Sequence, residues 1–166
     1  MGLRMTPEPA GRAPQVWVDA DATPAAVREV LYRAADRRQV RLMLVANRPQ
    51  HFPRSKWIGS VEVPAGMDVA DDHIVAGCIP GDLVITADVP LAAACVDKGA
   101  TVIDPRGEIL DARNVKQRLA VRDMMTEMRA SGLETGGPPP YDKSALQRFA
   151  NALDRNLTRM LPKAPR

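Results

Sequence analysis

Five short apolar runs rich in β-branched residues punctuate this chain: VWVDA (16–20), VRLMLVA (40–46), SVEVP (60–64), LVITA (83–87) and TVID (101–104). Between them, apolar residues recur at helical spacing. In PAAVREVLYRAADRR (24–38) they are Val27, Val30, Leu31 and Ala34; in DVADDHIVAGCI (68–79) they are Ala70, Ile74 and Cys78. VPLAAACVDK (89–98) ends on Lys98 and Gly99, a normal helix C-terminus. A parallel neighbour can be reached only by a crossover, so strands alternating with helices imply a mainly parallel sheet covered on both faces. VRLMLVA barely alternates in polarity, as expected of a strand buried on both sides.

Thr23 is placed to cap the first helix and Pro24 to open it. Residues 113–131 and 143–161 read as two further helices, joined by the Gly/Pro loop SGLETGGPPPYD (131–142). The length of 166 residues suits one domain, and with 45% hydrophobic residues it can bury a substantial core. Aromatics are only 4%, so that core must be built from Val, Leu, Ile, Ala and Met. No apolar run approaches the roughly 20 residues that cross a bilayer, and MGLRMTPEPAGRAPQ has no signal-peptide core. The expectation is a disordered leader over 1–14, a single α/β domain over 15–161, a tail over 162–166, and a cytoplasmic location. Cys78 and Cys95 lie in apolar helical patterns and read as small core residues.

In open α/β sheets ligands bind beyond the carboxyl ends of the strands, and the acids collect there. Asp19 and Asp21 follow the first strand, Asp68, Asp71 and Asp72 open the helix after the third, and Asp88 follows LVITA. Carboxylates crowded together repel unless a cation neutralises them, and Mg²⁺ or Mn²⁺ prefers such oxygen donors. Each acid also has an ordinary use, because Asp is a favoured N-cap and is stabilised in a helix's first turn.

Two chemistries fit VWVDADAT. It resembles the D-x-D-x-T signature of haloacid-dehalogenase-type phosphatases, in which Asp19 would be nucleophile, Asp21 acid/base and Thr86 the phosphate-binding hydroxyl. The motif order opposes this, since Asp71 and Asp72 precede Thr86 and a helix follows Pro24 at once. TADVPLAAACVDKGATVI (86–103) instead resembles the PIN nuclease pattern of Thr-x-Asp, helix, Gly and short strand, whose acids would bind one or two divalent ions.

The chain from about 15 to 161 resembles the YaiI/YqxD family of uncharacterised bacterial proteins. The matching stretches are VWVDADATP, LYRAADR, LVAN, DVADDHIV, GDLVITADVPLAAACVDKGA, DPRGE and RASGLETGGPPP. The resemblance implies a three-layer PIN-like fold, with Asp19, Asp21, Asp68, Asp71 and Asp88 at matched acidic positions. Asp72 and His73 are not fixed by the pattern. Where the family reads D-A-D-A-C-P, this chain has Thr23, so no thiol at that position can act. The expected activity is phosphodiester hydrolysis, RNA favoured, with Asp19, Asp21, Asp71 and Asp88 catalytic. All six acids, Asp68 and Asp72 included, are candidate ligands for Mg²⁺ or Mn²⁺. The alternatives are the phosphatase and a non-catalytic RNA-binding protein.

Two basic features bear on an RNA partner. ANRPQHFPRSKW (46–57) carries Arg48, Arg54, Lys56 and Trp57, able to grip a phosphate backbone and stack a base. It is expected on the same rim as the acids; its ordinary use is a solvated loop with Trp57 packed on the sheet edge. His51 and His73 lack a partner at ligand spacing. Residues 106–166 hold 12 Lys and Arg against 7 Asp and Glu, whereas residues 1–105 hold 11 against 13. That imbalance is compatible with a polyanion beside a cation site. In NVKQRLAVRDMMTEMRASG (114–132), the Met cluster is expected to be core or helix-packing surface. Arg118, Arg122 and Arg129 form either a basic stripe or surface pairs with Asp123 and Glu127.

Overall fold

A computed structural model describes residues 11–137 and 139–161. Its strands are β1 (Val16–Asp19), β2 (Leu42–Ala46), β3 (Ile58–Glu62), β4 (Leu83–Ile85), β5 (Thr101–Ile103) and β6 (Ile109–Leu110). Its helices are α1 (Ala25–Arg38), α2 (Val69–Gly77), α3 (Val89–Asp97), α4 (Val115–Ala130) and α5 (Lys143–Met160). All five expected strands and five expected helices form, with ends shifted by a residue or two. Residues 1–10 of the expected leader and the expected tail, 162–166, lie outside the described residues.

The strands form one sheet in the order β3-β2-β1-β4-β5-β6. β1 pairs parallel with β2 (Val16 opposite Leu42) and with β4 (Val16 opposite Leu83). Only β6 runs antiparallel, against β5. β1 is therefore central, and the chain winds outward from it in both directions. This is a three-layer α/β domain, compatible with a PIN-like fold.

Alternation along the central strands fills two cores. Val16, Val18, Leu42 and Leu44 face α1 and α5, meeting Leu31, Phe149 and Leu153. Trp17, Met43, Val45 and Val84 face the other way, toward Ile74 and Cys78 of α2, Leu91 and Cys95 of α3, and Val115 of α4. β2 is buried at all five positions. α4 departs from expectation: Val115 is its one buried residue, and Val121 and Met124 are 46% and 52% exposed, so the methionines do not form a core. Of its arginines, Arg118 pairs with Glu108, Arg122 with Asp123, and Arg129 bonds the Thr135 hydroxyl.

β6 carries no signal in its two residues; the turn before it makes it. Asp104 accepts the amides of Arg106 and Glu108, and Gly107 takes φ +89°, turning the chain back on β5. A Cβ on Gly107 would lie 2.6 Å from the Arg148 carbonyl carbon, so the backbone of α5 rests directly on this turn.

Asp82 fixes the amino ends of the strands. It is buried, and its carboxylate accepts from Arg12 (2.6 and 2.9 Å), from the amides of Gln15 and Ile79 (both 3.0 Å), and from the Trp17 indole N–H (3.0 Å).

Candidate functional site

The order β2-β1-β4 makes the carboxyl ends of β1 and β4 a topological switch point, where helices leave on opposite faces, the place where open α/β sheets bind ligands. Asp19, the last residue of β1, is 8% exposed there. Beyond it the chain makes a 3₁₀ turn, Ala20–Ala22. The Thr23 hydroxyl donates to the Asp19 carbonyl at 2.7 Å and does not cap the helix; Pro24 occupies the N-cap position instead. A backbone carbonyl left exposed by the tight turn competes successfully for the short hydroxyl.

β4 supplies the other half. The Thr86 hydroxyl donates to Asp19 Oδ2 at 3.1 Å and accepts the Asp88 amide at 3.0 Å. Asp88 caps α3, its Oδ1 accepting the Leu91 amide at 3.1 Å. One hydroxyl thus ties the first carboxylate to the segment bearing the second. The capping role and the rim position of Asp88 coexist.

The remaining acids differ in how they are held. Asp21 accepts the Asn47 amide at 2.8 Å and Arg48 Nε at 3.4 Å, so it anchors the loop that leaves β2. Asp71 is half-buried on the first turn of α2. Asp68 sits at the N-cap position in the left-handed region, φ 63°, without a side-chain cap bond. Asp72 is exposed on the same turn. Asp104 lies at the carboxyl end of β5, and its side chain serves its own turn.

The electrostatics tie these segments together. Burial pushes the Asp19 carboxyl above its ordinary range; the Thr86 bond opposes this, while Asp88 and Asp21 add to it. Asp71 is pushed up to about 6, first by burial and then by the negative charges of Asp88, Asp19, Asp68 and Asp72. A pKa near working pH suits a group that must take up and release a proton.

The donor chemistry suits a hard divalent cation, being all carboxylate oxygen. Among the described residues no three His, Cys, Asp or Glu side chains are grouped to hold a metal ion. Mg²⁺ usually takes one or two carboxylates and keeps several waters, a requirement that Asp19 and Asp88 can meet. His73 stands edge-on to Trp17, ring centroids 6.2 Å apart, and burial lowers its pKa.

The basic loop does not share the rim as a whole. Arg48 is there, bonded to Asp21, and with His51 and Phe52 it lines a cavity of about 350 Å³ beside β3. β3 is parallel to β2, so the chain must travel back to the amino edge before pairing can begin. The Trp57 carbonyl accepts the Leu42 amide at 2.8 Å, which puts Lys56 and Trp57 at the end opposite the acids. Trp57 packs against the α1/α5 core, and Arg54 is exposed on the return path.

Thr86, the Thr of the Thr-x-Asp pattern and the phosphate-binding hydroxyl of the phosphatase alternative, takes a further role here as the link between Asp19 and Asp88. Its position two residues before Asp88, at the end of an apolar strand, was the available signal.

No solved structure matches the chain. A UPF0178 protein of Bordetella parapertussis is 53% identical over 144 residues, covering 87% of this chain and 90% of its own length. One from Shewanella amazonensis is 53% identical over 149 residues, covering 90% and 99%. One from Myxococcus xanthus is 49% identical over 152 residues, covering 92% and 99%. The family model described as "Uncharacterized BCR, YaiI/YqxD family" matches residues 17–159. The matched span takes in all but the first residue of β1 and the last of α5, and the chain belongs to the YaiI/YqxD family.

Proposed function

We propose that the acidic rim is a Mg²⁺- or Mn²⁺-dependent phosphodiesterase centre acting on RNA. The observation that carries this is the Asp19–Thr86–Asp88 connection at the switch point, with Asp71 in the same negative field. Asp19 and Asp88 would hold the cation, each with one oxygen already oriented by a hydrogen bond from the fold. A bound ion supplies an acidified water and neutralises charge on the scissile phosphate. Asp71, half-buried in the same negative field, would accept the proton of the attacking water. Asp21 keeps Arg48 at the rim, where its guanidinium can meet a phosphate oxygen. Asp68 and Asp72 add negative potential that concentrates cations. The basic stretch from residue 106 onward provides attraction for a polyanion.

Asp19→Asn combined with Asp88→Asn abolishes Mn²⁺-dependent cleavage of single-stranded RNA and the calorimetric Mn²⁺ titration; retained cleavage refutes the assignment. RNA binding with no Mn²⁺ uptake by the unaltered chain leaves a non-catalytic RNA-binding protein. The Thr86–Asp19 bond also suits the phosphatase alternative, since that chemistry needs a hydroxyl beside the nucleophilic carboxylate. A beryllofluoride adduct on Asp19 marks that reading and is not expected of a nuclease.

A further inference from the structure

The outer edge of the sheet is open beside the acidic rim. β3 is the outermost strand on that side and pairs only with β2. The Trp57 carbonyl accepts the Leu42 amide at 2.8 Å, and the Val63 amide donates to the Ala46 carbonyl at 2.9 Å, so the odd-numbered residues here face β2. Alternation turns the N–H and C=O groups of Ser60 and Glu62 outward. The Ile58 amide, also outward, is taken by the Ser55 carbonyl at 3.3 Å. Among the described residues no hydrogen bond reaches the outward groups of Ser60 and Glu62, or the Ser60 hydroxyl.

The cavity of about 350 Å³ lies against these groups. Ser60, Val61 and Glu62 line it from the strand, and Arg48, His51 and Phe52 from the loop that leaves β2. Val61 packs its side chain into the core on the other face of the sheet, so the cavity reaches the backbone edge of the strand. The loop is pinned. Tyr32 donates its hydroxyl to the His51 carbonyl at 3.4 Å, Arg28 donates to Gln50 Oε1 at 3.2 Å, and Phe52 packs on the α1/α5 core. The cavity is therefore already formed, and its volume lies within the range of about 300–1,000 Å³ typical of small-molecule sites. Glu62 stands opposite Ala46, the last residue of β2, and Arg48 bonds Asp21. The opening is thus at the same end of the sheet as the acids, two strand spacings or roughly 10 Å from β1.

We propose, resting on the phosphodiesterase reading above, that this cavity receives a nucleobase of the single-stranded RNA lying on the rim, read by the open edge of β3. An unpaired strand edge offers N–H and C=O groups side by side, which match the adjacent acceptor and donor on the Watson–Crick edge of an unpaired base. Arg48 and Glu62 set the direction. The guanidinium takes a phosphate oxygen, while the exposed carboxylate repels phosphate and accepts from an exocyclic amino group. Cytosine and adenine carry that amino group beside a ring acceptor; uracil has no amino group. Addition of a peptide strand is the other use of a free edge. Two free residues are too few for it, since strands usually run about 3–10 residues.

Hydrogen exchange followed by NMR reads the edge directly in the full chain. The titration uses the Asp19→Asn, Asp88→Asn double variant, so that the RNA stays intact. The Ser60 and Glu62 amides should exchange fast in the free chain and slow about fivefold or more with a cytidylate heptamer. A uridylate heptamer should slow them less, and an abasic heptamer not at all. Ser60→Pro deletes only the outward N–H, which an edge strand tolerates, and should weaken cytidylate binding about tenfold. Glu62→Gln leaves the backbone untouched and should remove most of the preference for cytidylate over uridylate. The proposal is overturned if both amides stay unprotected at millimolar cytidylate heptamer, if the abasic heptamer protects them equally, or if only a Val-Lys-Val-Lys peptide does. Mn²⁺-dependent cleavage by the unaltered chain with both amides unprotected ends this inference and keeps the nuclease. Protected amides without such cleavage end the nuclease and leave an RNA-binding cavity.

Discussion

Replacing Asp82 by Ala tests how the amino edge of the sheet is held together. The Asp82 side chain is 0% exposed and that of Arg12 10% exposed, so this is a buried ion pair and not a surface one. Removing one partner of such a buried pair costs about 3–5 kcal/mol. Arg12 also donates to the Gly77 carbonyl at 2.9 Å and lies near enough to solvent to turn outward, which trims its share. The Gln15 amide, the Ile79 amide and the Trp17 indole N–H cannot move, and each loses its acceptor at about 1–3 kcal/mol where water cannot reach. These contributions overlap, and a net loss of about 4 kcal/mol is the expected figure. For a domain of this size that lowers Tm by about 8–16 °C, at roughly 2–4 °C per kcal/mol. Thermal and guanidinium melts followed by far-UV circular dichroism measure the loss, and tryptophan emission reports the freed Trp17 indole. Asp82→Asn, which keeps the shape and one acceptor oxygen, should lose less. A loss below about 1 kcal/mol in Asp82→Ala would show that water replaces the carboxylate, and would refute this account of the edge.

Asp88 separates two roles by choice of substitution: Asp88→Asn should keep the cap and the stability but lose metal affinity, while Asp88→Ala should also cost about 1 kcal/mol in a urea melt. Gly107→Ala should destabilise by more than about 1 kcal/mol, since both the positive φ and the Arg148 backbone oppose a Cβ; an unchanged melting curve would contradict that contact. Asp71 has a folded pKa near 6 against an ordinary 3.8, so the folded chain holds this proton more tightly than the unfolded one. Its contribution therefore favours folding below about pH 4 and is lost as pH rises to about 6. Urea melts across that window should show the slope diminished in Asp71→Asn and in Mn²⁺-loaded protein.

The strands and helices were legible because each runs long enough to show its period. LMLVA is apolar throughout and is buried throughout; the Val27, Leu31 and Ala34 spacing marks the face of α1 that enters the core. β6 was not, because two residues carry no period and the strand exists only through the Asp104–Gly107 turn. The gathering of acids at strand ends could be read from order alone, but their individual work could not. Thr86 and Asp19 stand 67 residues apart, and nothing local announces their bond. Asp82 looks in sequence like a polar turn residue beside Gly81, yet apart from Ile79 its partners lie 65–70 positions away. Lys56 and Trp57 were expected with the acids because they follow a strand's carboxyl end; the parallel pairing of β3 carries them to the other edge.

The central position of β1 has a bearing on how the chain comes off the ribosome. The earliest strand to emerge finds β2 soon afterwards, but its second neighbour arrives only with Leu83–Ile85. Until then Asp19 has no Thr86 to meet, and one long side of the strand is unpaired and open to other chains. The rim is completed late, after more than half of the polypeptide has been made, and nascent chains stalled before that point should be the ones that need a chaperone.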